Sequence, residues 1–119
     1  DEDYLDGVAL NLHGFYTASE RVFEEIAREI DSSVPTGREW HRDLLRQMSS
    51  EISGIRPPVI KYSALNCLEE YRGFRHVVRN IYTFNLRPSR LRELVGDLSA
   101  CYTSLCEDLN NFCNFLEQL

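Results

Sequence analysis

At 119 residues, with 43% hydrophobic and 27% charged side chains, the chain has the make-up of one globular domain, and a single unit is expected over residues 1–119. No apolar stretch approaches the ~20 residues of a spanning helix, so no membrane contact of that kind is expected; Asp1 to Tyr4 is acidic with no apolar run after it, so no secretory signal is visible and a cytoplasmic location is expected. The net charge of −6 excludes wholesale attraction to polyanions, and any nucleic-acid contact has to come from a local basic zone.

Val8, Leu12, Phe15, Val22, Ile26 and Ile30 recur at helical spacing and predict a first helix from about Tyr4 to Ile30, ended by the loop DSSVPTG at 31–37. Trp40, Leu44, Leu45, Met48 and Ile52 predict a shorter second helix reaching Ser53 and Gly54, where glycine can take the left-handed C-terminal conformation. Pro57 and Pro58 then force an extended connector. A third helix is expected from about Ser63, a candidate N-cap, to Phe84. Pro88 opens a fourth, long helix whose Leu91, Leu94, Val95, Leu98, Tyr102, Leu105, Leu109, Phe112 and Leu116 carry an apolar stripe to the end of the sequence. Nothing alternates with period two over a useful length, so the fold class is all-α, an up-and-down bundle of four to five helices.

Cys67, Cys101, Cys106 and Cys113 form no C-x-x-C pair, and reduced thiols are the expectation, with Cys106 and Cys113 facing one core stripe. His13, His41 and His76 lack metal-ligand spacing, so neither a metal nor another cofactor is expected. His41 beside Trp40 reads as a structural contact of the second helix, and His13 has only a structural reading.

Charge is distributed unevenly. From Tyr71 to Arg92 the sequence holds six arginines, at 72, 75, 79, 87, 90 and 92, and no Asp or Glu; the other 7 Lys and Arg stand against 19 acids. A basic zone on an acidic body is the local footprint of a phosphate-handling site. On the third helix Phe74, Val77, Val78, Ile81 and Phe84 gather into a core face. Opposite lie Arg72, Arg75 and Arg79, flanked by His76, Asn80 and Tyr82. One turn earlier this outward side carries Leu65 and Leu68, an apolar patch beside a cationic groove, for which a homodimer is the expected partner arrangement.

The run FRHVVRNIYTFNL (74–86), preceded by WHRDLLRQM (40–48) and IRPPVI (55–60), resembles the HepT-like branch of the HEPN superfamily, and with the flanking helices the resemblance covers nearly the whole domain. The signature of that family is an Arg, a polar residue, three residues, a His, one residue and a Tyr. Arg75 matches the Arg, His76 the polar residue and Tyr82 the Tyr, while Asn80 stands where the His belongs. The resemblance implies a HEPN-like bundle, the toxin of a toxin-antitoxin pair, acting as a metal-independent endoribonuclease through a site composed across a homodimer. On that reading Arg75, Asn80 and His76 are catalytic and Arg72 and Arg79 bind the RNA substrate. The implied partner is a nucleotidyltransferase-type antitoxin that adds AMP to Tyr82.

The chemistry explains these residue types. Cleaving RNA without metal requires removing the 2′-hydroxyl proton, stabilising a dianionic phosphorane and protonating the leaving oxygen. A guanidinium, permanently charged and able to hold two phosphate oxygens, suits the second need. Histidine suits the others, whereas asparagine cannot exchange a proton at neutral pH. His76 is one candidate to replace the missing histidine. The alternative is a catalytically degenerate module that binds RNA or a nucleotidyltransferase without cleaving, or a structural subunit of such a pair.

Overall fold

A computed structural model describes residues 2–79 and 87–119, the side chains of 2, 3, 5, 6 and 76–79 excepted. The elements are α1 (Glu2–Ile26), continued by a turn of π-helix (Ala27–Asp31), α2 (Trp40–Met48), α3 (Tyr62–Arg79) and α4 (Pro88–Glu117). The protein is an all-α bundle, and among the described residues the one β-type contact is an isolated bridge between Ile52 and Arg56.

The stripe that α1 buries runs through Ala9, Leu12, Tyr16, Ser19, Glu20, Phe23 and Ala27. Its centre is offset from the apolar pattern: Val22, expected inside, is 42% exposed, and the polar Tyr16 and Glu20 go in instead. The helix then widens. Ser32 adopts a left-handed conformation (φ 57°), and its N–H and that of Ser33 both reach back to the Ala27 carbonyl. This C-terminal closure gives one carbonyl of the last turn two donors, and the π-turn ends on Asp31.

Asp31 anchors the next connection. Its carboxylate takes Nε and Nη2 of Arg56 at 2.6 and 2.7 Å, with both side chains at 1% exposure or less. The remaining donors of Arg56 go to the carbonyl oxygens of Ser50, Pro57 and Gln47, and Gln47 Nε2 also donates to Asp31 at 2.8 Å. The Arg-Pro-Pro connector is thereby fastened to the ends of α1 and α2. It also sets the length of α2, which stops at Met48 and not at Ser53 and Gly54. The Met48 carbonyl accepts N–H groups from Val59 (2.7 Å) and Ile60 (3.2 Å). Gly54 does take a positive φ, 77°, but in the tight turn beyond the helix.

One further boundary departs from expectation, and one helix buries a different stripe. α3 begins at Tyr62, and its entry is held by Asp108 of α4, which accepts the Lys61 backbone N–H at 2.8 Å; Ser63 lies inside the helix and is not its cap. α4 opens on Pro88 as predicted, but its buried residues are Leu91, Leu94, Cys101, Leu105, Asp108 and Phe112, with Val95 and Tyr102 left exposed.

α3 packs against both α1 and α4, with α2 across the α1–α3 seam. Tyr71 joins these layers: its ring meets Phe15 edge to face at 5.3 Å, and its hydroxyl donates to the Leu94 carbonyl at 2.7 Å. Burial, aided by Asp97, pushes the Tyr71 pKa up to about 12. Next to it Cys67 and Cys101 form a disulfide between α3 and α4, which corrects the expectation of four reduced thiols. Cys106 is half-buried and Cys113 exposed, so they do not share a core stripe. Leu68 is fully buried and Leu65 is packed on the same core, so neither belongs to an outward apolar patch.

Candidate functional site

α3 presents Arg72 and Arg75 at its surface, each half-buried. Arg72 is held by Glu69, one turn earlier, through Nε and Nη2 at 2.9 and 2.6 Å. Arg90, at the start of α4, pairs with Glu70 at 2.5 Å and with Glu93 at 3.2 Å. The zone that is uncompensated along the sequence is thus partly compensated in space. Among the described residues no carboxylate pairs with Arg75, which leaves its guanidinium available to an incoming anion. The His76 and Arg79 side chains, and Asn80 and Tyr82 altogether, lie outside the described residues.

The clefts of the molecule differ in what they can hold. Between α3 and α4 lies an open cleft of about 480 Å³ over the disulfide, bordered by Ser63, Asn66, Glu70, Tyr71, Asp97 and Ser104. Its two carboxylates oppose a phosphate ligand. A narrower one of about 210 Å³ lies where the Pro57-Pro58 connector meets Asn111 and Phe112, and it is mostly apolar. Among the described residues no three His, Cys, Asp or Glu are grouped as a metal site, and no helix is long and apolar enough to cross a membrane.

A second polar constellation, which periodicity does not reveal, lies between α1 and α2. His41 Nδ1 meets Glu20 Oε2 at 2.6 Å, with side-chain exposures of 15% and 8%. The Trp40 indole covers the imidazole, with ring centroids 3.6 Å apart and planes at 32°. One turn before Glu20, the Tyr16 hydroxyl is buried without a well-formed hydrogen bond, close to the Glu20 carboxylate. Burial first, then the Glu20 charge, raises the Tyr16 pKa well above that of an ordinary tyrosine. The charges of Arg72, which lowers this pKa, and Glu69, which raises it, also act on the hydroxyl from α3. Sequence reasoning placed His41 as a structural contact and passed over Glu20. The usable signal was a carboxylate at a position on the buried stripe of α1.

Compared with known proteins, residues 7–116 match the model of a family described as HepT-like protein. No match was found to a curated protein or to a solved structure.

Proposed function

Because the chain belongs to the HepT-like family, we propose that it is the toxin of a toxin-antitoxin pair, a metal-independent endoribonuclease whose site is composed across a homodimer. The family match over residues 7–116 carries this reading. The half-buried Arg75, with no carboxylate partner among the described residues, supports it. In the reaction Arg75 neutralises the phosphorane, Arg72 and Arg79 hold flanking phosphates, and Asn80 with His76 positions the substrate. A guanidinium already fixed by Glu69, as Arg72 is, loses little further freedom on meeting RNA.

The antitoxin on this reading is a nucleotidyltransferase that transfers AMP to Tyr82. The added phosphate competes with RNA for the same arginines. Asn80 in the signature histidine position favours one other reading, a degenerate module that binds RNA without cleaving it.

Purified protein incubated with single-stranded RNA and tRNA separates the two. Cleavage that falls about 10²-fold or more in Arg75→Ala supports the ribonuclease. Intact RNA with wild type, together with cutting by Asn80→His, establishes the degenerate module instead. Mass spectrometry after incubation with ATP and any nucleotidyltransferase encoded beside this chain tests the modification, and absence of an adduct on Tyr82 removes that part of the mechanism.

A further inference from the structure

The Glu20–His41 pair is costly where it stands. A carboxylate at 8% exposure gives up most of its hydration, and an apolar residue at the same place on α1 would serve packing better. Such a pair has a definite chemical consequence. An ionised carboxylate only accepts hydrogen bonds, so the hydrogen of the neutral imidazole lies on Nδ1 and the lone pair is left on Nε2. Nε2 has no partner among the described residues, and Trp40 holds the plane of the ring. His41 is therefore an oriented imidazole with a free acceptor, on a helix that packs against α3, and the charge of Arg72 on α3 is felt at Tyr16 beside Glu20.

We propose that His41, positioned by Glu20, is the base that removes the ribose 2′-hydroxyl proton in RNA cleavage, the role that Asn80 cannot fill; the inference rests on the ribonuclease reading above. His41 Nε2 takes the proton as O2′ bonds to phosphorus and the P–O5′ bond breaks. The leaving O5′ takes a proton from water, and the imidazolium returns its own to the hydroxide so formed. The products are a 2′,3′-cyclic phosphate and a 5′-hydroxyl, with no oxidant, reductant or other reactant consumed. Arg75 neutralises the phosphorane and Arg72 holds a flanking phosphate, Trp40 fixes the ring, and Tyr16 offers Glu20 a second donor as positive charge develops on the imidazole. Arg42, next to His41 in α2, is turned towards Glu39 and Asp43 and leaves the pair alone.

The test measures kcat and KM on a short RNA for wild type, His41→Ala, His41→Gln, Glu20→Gln and Arg75→Ala, with circular dichroism to confirm folding. His41→Ala is expected to lose about 10²- to 10⁴-fold in kcat with KM little changed, and added imidazole to restore part of it. Glu20→Gln is expected to lose about 10- to 100-fold. His41→Gln, which keeps a donor for Glu20, is expected to fold and to be as inactive as His41→Ala, so a misfolded alanine variant does not spoil the test. Wild-type kcat in either folded His41 variant, or a folded His41→Ala whose loss imidazole does not relieve, overturns the proposal. If Arg75→Ala is inactive while the His41 variants cleave normally, only this inference falls. If wild type yields no cyclic phosphate product, the ribonuclease reading falls and this one with it.

Discussion

Arg56 is 3% exposed, yet each of its nitrogens has an acceptor: Asp31 and three carbonyl groups. Desolvation opposes the charged form of Asp31, but the hydrogen bonds from Arg56 and Gln47 outweigh it and hold the carboxyl below its usual 3.8. Removing one partner of such a pair strands the other charge, so Asp31→Asn is expected to destabilise by about 3–5 kcal/mol. A urea midpoint within error of wild type would show that the pair is energetically neutral. The pH dependence follows from the direction of the shift. A depressed aspartate contributes stability in full above 3.8 and loses it as pH falls through the lower folded value. Acid titration of Asp31→Asn is expected to show a weaker dependence in that window than wild type. None of this was legible beforehand. The sequence shows an arginine before two prolines, but its partner lies 25 positions away, and no periodicity links a connector to a helix end.

Elements were more readable than residues because helical spacing is local. The stretches that become α1 to α4 carry the 3.6-residue pattern, and Pro88 marks the start of the last one. Where the reading failed, a contact from another element decided. Ile60 and Val59 end α2, Asp108 holds the entry of α3, and Tyr16 and Glu20 displace Val22 from the buried side of α1. The disulfide is the same kind of feature, because Cys67 and Cys101 become neighbours only once α3 and α4 lie side by side. Closing a span of 34 residues removes loop entropy worth about 3–4 kcal/mol. Reduction, or Cys101→Ala, is therefore expected to lower the thermal midpoint by roughly 10–20 °C for a domain of this size. A midpoint that does not move on reduction would mean that core packing alone holds α3 to α4. Of the candidate site, the surface positions of Arg72 and Arg75 on α3 follow from helical spacing, whereas the Glu20–His41 pair spans 21 residues and two helices and was not legible.

The whole molecule is long and flat, 51 × 30 × 18 Å, with a Cα radius of gyration of 15.4 Å against about 13.5 Å for a compact chain of this length. The 30-residue α4, about 45 Å at 1.5 Å per residue, is the longest α-helix among the described residues. A body one to two helices thick has much surface for its volume, which suits assembly into a pair. Ultracentrifugation at micromolar concentration is expected to give a dimer, and a monomer would remove the composite site. On the proposed reading three arginines of α3 meet the RNA, and its affinity is then expected to depend only gently on salt. For single strands that corresponds to a slope of about −2 in log K against log salt. A slope near −4 or steeper in fluorescence anisotropy would mean that the arginines of α4 take part as well.

The bridge between α3 and α4 also makes the intervening chain a closed ring that contains Asn80 and Tyr82. A protease that cuts once within that ring would not divide the molecule. The two pieces would migrate as one band on a non-reducing gel and separate only after reduction. A chain nicked in that segment would thus stay one covalent unit, and an effect of cleavage there could be read without loss of the subunit itself.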